Sequence, residues 1–179
     1  MEDELIIQHL EAALGQLIDR DRSLLEQDLS EQSISHRLAI YLEPYFNQYN
    51  VDCEYNGNVD RANGRKKINL VRHHLIEKGL LTEKELNDTE NEIVERSVFP
   101  DIIIHRRGRN DANLCIIEVK KSTSNIPFDY DGFKLEAYTT NVVGNDLNYQ
   151  LGIFLVFRIS RENPGYEPLV FYRNGERQI

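Results

Sequence analysis

Between about Asp3 and Leu25, Ile7, Leu10, Leu14, Leu17 and Ile18 recur at three- and four-residue intervals among acidic residues, which predicts an amphipathic helix. The stripe lasts barely two heptads, so it is expected to pack on its own domain, with a homodimer seam as the alternative. Ser30-Glu31-Gln32-Ser33 opens a second helix with Ile34, Leu38, Tyr41, Leu42 and Tyr45 on one face, closing between Pro44 and Asn50. Glu31 lies one turn before Ile34 and so projects from the buried side. Val51 to Tyr55 alternates like a strand, and the Asn-Gly that follows, with Asp60 to Arg65, reads as turn and loop. From Ile68 to about Glu95 the pattern reads as helical, stopping at Gly79 and restarting at the capping box Thr82-Glu83-Lys84-Glu85. Residues 60–96 are therefore expected to form a helical insertion. Two strands, Ser97 to Arg106 and Leu114 to Lys121, are joined by Arg107-Gly108-Arg109-Asn110-Asp111 and predict a hairpin. A helix from about Asp131 to Val143, a strand from Leu151 to Ile159 and a last strand from Leu169 to Arg173 complete an α/β order with a mixed β-sheet flanked by helices.

Length changes this picture little: 179 residues fit one domain over 1–179, with the N-terminal helix (1–28) and the insertion as appendages. A 40% hydrophobic and 28% charged composition excludes disordered and fibrous classes. No run nears the roughly 20 apolar residues that span a bilayer. The start MEDELIIQHL has neither the basic stretch nor the cleavage site of a secretory signal, so a cytoplasmic protein without a membrane partner is expected. Cys53 and Cys115 stand far apart in apolar stretches and support neither a disulfide framework nor a zinc cluster. The net charge of −9 confines any grip on nucleic acid to local basic clusters. Three are present: Arg65-Lys66-Lys67, Arg106-Arg107 with Arg109, and Lys120-Lys121.

Candidate chemistry lies on the predicted hairpin. Asp101 precedes Ile102-Ile103-Ile104, and Glu118 follows Leu114-Cys115-Ile116-Ile117, so both acids sit where neighbours are buried. A buried carboxylate is costly unless it is paired or bound to a metal. Side-chain alternation puts Glu118 and Lys120 on one face, with Val119 and Lys121 on the other. Two neighbouring carboxylates make a hard-oxygen nest for Mg²⁺ or Mn²⁺, which polarises a phosphate and lowers the pKa of an attacking water. A lysine beside them can orient that water and steady developing charge. The competing structural reading of Glu118 with Lys120 is a same-face salt bridge, and that of Glu31 a first-turn acid favoured by the helix dipole. The histidines lack a second ligand at metal spacing.

Pro100-Asp101 followed by Glu118-Val119-Lys120 on the next strand resembles the signature of the PD-(D/E)XK nuclease superfamily, whose members include restriction endonucleases and Holliday-junction resolvases. The resemblance covers roughly residues 30–159, leaving out the insertion, and implies a restriction-endonuclease-like core. It implies Asp101, Glu118, the Val119 carbonyl and the helix-borne Glu31 as metal ligands, and Lys120 as the catalytic lysine. Lys134 on the following helix would approach phosphate; from the basic clusters, Lys121 and Arg107 are further candidate contacts to the substrate. The function implied is Mg²⁺- or Mn²⁺-dependent hydrolysis of phosphodiester bonds in DNA, in defence, repair or mobile-element biology. The alternatives are a catalytically silent nucleic-acid- or protein-binding module of the same fold, or a subunit activated in a larger assembly.

Overall fold

The computed structural model describes residues 1–58, 64–87, 90–125 and 128–178. The chain opens with α1 (Asp3–Asp21), a short α2 (Ser23–Glu26) and α3 (Glu31–Leu42). Ser30 caps α3, its hydroxyl accepting from the Ser33 amide at 3.1 Å. The buried stripe of α1 is Ile6, Leu10, Ala13, Leu14 and Leu17, and it packs against α3 of the same chain. Ile7 and Ile18 sit at its margin, partly buried.

Next come β1 (Asn50–Cys53), β2 (Lys67–Val71), α4 (Arg72–Glu77), α5 (Glu83–Asn87) and β3 (Ile93–Ser97). The helical reading of 60–96 is therefore corrected over much of its length. β2 and β3 pair antiparallel in a separate two-stranded sheet, with Ile68 opposite Arg96 and Leu70 opposite Val94. Ile68 and Leu70 are buried at period two; a short apolar run fits either period, and here a partner strand more than twenty residues downstream decided between them. Two local signals hold. Gly79 ends its turn at φ +64°, where a Cβ is disfavoured, and the Thr82 amide and hydroxyl donate to Glu85 as the capping box requires. In the predicted loop at 60–65, residues 60–63 lie outside the described residues, as do 88 and 89 of the predicted helix.

The rest of the chain supplies β4 (Ile102–His105), β5 (Cys115–Lys121), α6 (Asp129–Thr139), β6 (Leu151–Arg158), β7 (Gly165–Tyr166), β8 (Val170–Arg173) and β9 (Glu176–Arg177). The main sheet has seven strands in the order β1-β4-β5-β6-β8-β9, with β7 also on β6; only β5 and β6 run parallel. The expected hairpin strand from Ser97 divides: Ser97 ends β3, and the main-sheet strand begins only after Pro100. The fold is thus α/β, a mixed sheet with α1 and α3 on one face and α6 with the β2–β3 hairpin on the other. No helix among the described residues is long and apolar enough to cross a membrane.

The parallel β5–α6–β6 crossover brings α6 down on the sheet, and Gly152 sets how close it comes. A Cβ there would lie 3.1 Å from Thr139, 3.2 Å from Leu135 and 3.2 Å from Tyr172. Gly152→Val should overpack this contact, costing about 1–3 kcal/mol and lowering the thermal midpoint by roughly 3–10 °C in calorimetry. An unchanged midpoint would show that α6 yields freely.

Candidate active site

Glu118 is the seat of the site. It lies on central β5, among residues that are all buried from Cys115 to Lys120, and is itself 1% exposed. The β4–β5 register pairs Ile102 with Ile117, so one step on Asp101 stands opposite Glu118. Alternation puts both on the α6 face. β4 starts after Asp101, and the Val119 amide, left without a ladder partner there, donates instead to the Asp101 carboxylate at 2.7 Å. Val119 therefore meets the site through its amide, and its own side chain fills the opposite core.

From above, α6 contributes Asp131 and Lys134, three residues apart and on one helix face. The Lys134 ammonium lies 2.6 Å from Glu118 Oε2 and 2.8 Å from Asp131 Oδ1. Asp131 Oδ2 in turn lies 3.2 Å from Lys120 Nζ, which is 3.7 Å from Glu31 Oε2. Glu31 also accepts from the Lys121 amide at 3.0 Å. The six side chains form a continuous network of four carboxyls and two amines, an excess of two negative charges with every group ionised.

Burial leaves its mark on this network. Desolvation pushes Glu118 from an ordinary 4.5 up to about 8; the Lys134 charge opposes the rise, and Asp101 and Asp131 reinforce it. Asp101 is raised as well, chiefly by burial, against the pull of the Val119 amide and the two lysines. Burial works against the Lys134 ammonium, but Glu118 and Asp131 prevail and hold it above its ordinary range. Glu118 Oε1 is buried and accepts no hydrogen bond among the described residues. Such an orphaned carboxylate oxygen, beside a second carboxylate, suits a hard divalent cation that keeps several waters of its own. Asp101 and Glu118 are the residues that would hold it. Among the described residues, no group of three or more His, Cys, Asp and Glu side chains converges as a ready-made cage.

Several residues expected at the site are together: Asp101, Glu118, Lys120 and Lys134 share one network. Glu31 joins it through Lys120 rather than beside Asp101. Lys121 leaves by the other face and pairs with Asp28 at 2.8 Å. Arg107 lies beyond the far end of β4, about six residues or roughly 20 Å from Asp101 along the strand. It grips Asp52 there, its Nε 2.8 Å from the carboxylate, and the structure does not bring it to the network. Asp131 is the residue that sequence reasoning passed over. It is 2% exposed, and its one signal was its position three residues before Lys134 on the same helix face.

No protein-family model, curated protein or solved structure matches the chain.

Because the folded protein holds a proton on Glu118 that the unfolded chain releases near 4.5, this carboxyl favours folding less as pH rises from about 5 to 8. The loss is at most about 1.4 kcal/mol per pH unit. Glu118→Gln, which mimics the neutral acid, should flatten that slope in urea unfolding series at pH 5 to 8. Equal slopes for both proteins would place the titration elsewhere.

Proposed function

We propose that the chain is a metal-dependent nuclease, hydrolysing phosphodiester bonds in DNA with Asp101, Glu118 and Lys120 at its centre. The observation that carries this reading is the cross-strand carboxyl pair Asp101 and Glu118, buried beside two lysines, with Glu118 Oε1 accepting no hydrogen bond within range among the described residues. Asp101 and Glu118 would hold Mg²⁺ or Mn²⁺, with the Val119 carbonyl on β5 as a further oxygen and Glu31, which reaches the network from α3 through Lys120, as another candidate. When bound, such an ion polarises a phosphate and lowers the pKa of its water.

The remaining roles fall to the chain's own groups. Lys120 is a positive charge placed to steady a phosphate as negative charge builds up. Asp131 holds that lysine as an ion-pair partner at 3.2 Å, and so acts as a positioning residue. Lys134 is a second cation for a non-bridging phosphate oxygen once it leaves Glu118. Lys121, paired with Asp28, would meet the phosphate backbone alongside the centre only by giving up that partner, and Arg107 would do so more distantly only by leaving Asp52.

One feature favours a second reading, a silent binding module of the same fold or a subunit activated in a larger assembly. Glu118 and Lys120 are only 1% and 8% exposed, and Lys134 covers the glutamate. A substrate reaches them only if the network opens. The experiment compares wild type with Asp101→Ala and Lys120→Ala on linear, circular, branched and single-stranded DNA with Mg²⁺ or Mn²⁺. Both variants should fold and lose at least about a hundredfold in cleavage rate. Equal cleavage by all three proteins removes the catalytic assignment, and no cleavage by any, with no metal-induced stabilisation, leaves the binding-module reading in its place.

A further inference from the structure

Two large aromatic side chains close in sequence to members of this network stand exposed to solvent. Phe99, two residues before Asp101, is 60% exposed, and Phe128, three residues before Asp131, is 43% exposed. Phe128 meets Phe154 edge-on, with ring centroids 5.6 Å apart, and Phe154 is the direct neighbour of Glu118 on β6. Phe128 thus borders Glu118 from the β6 side, while Phe99 lies two residues along the chain before Asp101, the cross-strand neighbour of Glu118.

Among the described residues, five cations of this region are matched by acids. Lys121 pairs with Asp28, Lys78 with Asp129, Arg96 with Glu85, and Lys120 and Lys134 with Asp131. The whole chain carries 21 Lys and Arg against 30 Asp and Glu. A duplex, which brings two phosphate backbones, depends on neutralising several phosphates at once, and among the described residues the cations named here all have acidic partners. Stacking of bases on aromatic rings works independently of net charge. The depth of Glu118 points the same way, since a single flexible strand can enter where a rigid duplex cannot.

We propose that the nucleic acid taken at this site is single-stranded, held by its bases stacking on Phe99 and Phe128. The proposal rests on the nuclease reading above, whose substrate class it names.

The chain has no tryptophan, so Phe99→Trp and Phe128→Trp each install a single reporter. Both are read on a Lys120→Ala background with Mg²⁺, so that binding is measured without turnover. An oligothymidylate should quench each tryptophan and bind at least about tenfold tighter than a blunt duplex of equal length. On the same background, Phe99→Ala with Phe128→Ala should lose at least about tenfold in single-strand affinity while duplex affinity and thermal midpoint stay unchanged. Equal or tighter duplex binding, or emission and affinity indifferent to the substitutions, overturns the proposal. If wild type then cuts duplex and Asp101→Ala does not, the nuclease reading survives that failure; absence of all binding and cleavage removes both. Self-association that buries the two tryptophans would assign the rings to a protein contact and equally overturn it.

Discussion

A carboxyl group in the middle of an apolar strand is the constraint around which this molecule is arranged. Glu118 occupies a position that the flanking residues of β5 reserve for an aliphatic side chain, and water is excluded from it. Leaving such a group ionised and alone costs several kcal/mol. The structure answers with a cation from α6, a carboxyl that keeps its proton to about 8 and one oxygen left open.

Those answers come from different parts of the chain. Asp101 is delivered by the end of β4, where the ladder stops one residue early and the Val119 amide takes up its carboxylate. Asp131 and Lys134 are delivered by α6, which reaches the sheet because Gly152 leaves room beneath it. Lys120 then links Asp131 to Glu31 on α3, across the edge of β5, so that both helical layers are tied to one strand end.

A second buried polar cluster, at the other end of β4, shows why burial alone does not make a site. Lys66 is 1% exposed, donates to the Gly57 carbonyl at 2.5 Å and lies over the Tyr55 ring; desolvation lowers it to about 8. His105 meets Asp52 at 2.9 Å, and Arg107 closes the same carboxylate. These charged groups have their partners, and the cluster serves to anchor the hairpin connection. At Glu118 the acids outnumber the amines, and the imbalance is the chemical content of the site.

Much was legible along the chain. The helices at α1, α3 and α6, the strands β4, β5, β6 and β8, and the shared face of Glu118 and Lys120 follow from local periodicity, capping and side-chain alternation, which act within a few residues. The burial of Asp101 and Glu118 was readable for the same reason, since their neighbours are apolar. The hairpin of β2 and β3 was not, because a strand needs a partner and that partner lies far along the sequence. Nor was the role of Asp131, the covering of Glu118 by Lys134 or the removal of Arg107 to the opposite end of β4. Sequence by itself determined which charged groups would be forced out of water; only the packing of α6 on the sheet decided which of them would meet, because pairing energy depends on distances that the chain sets through its fold.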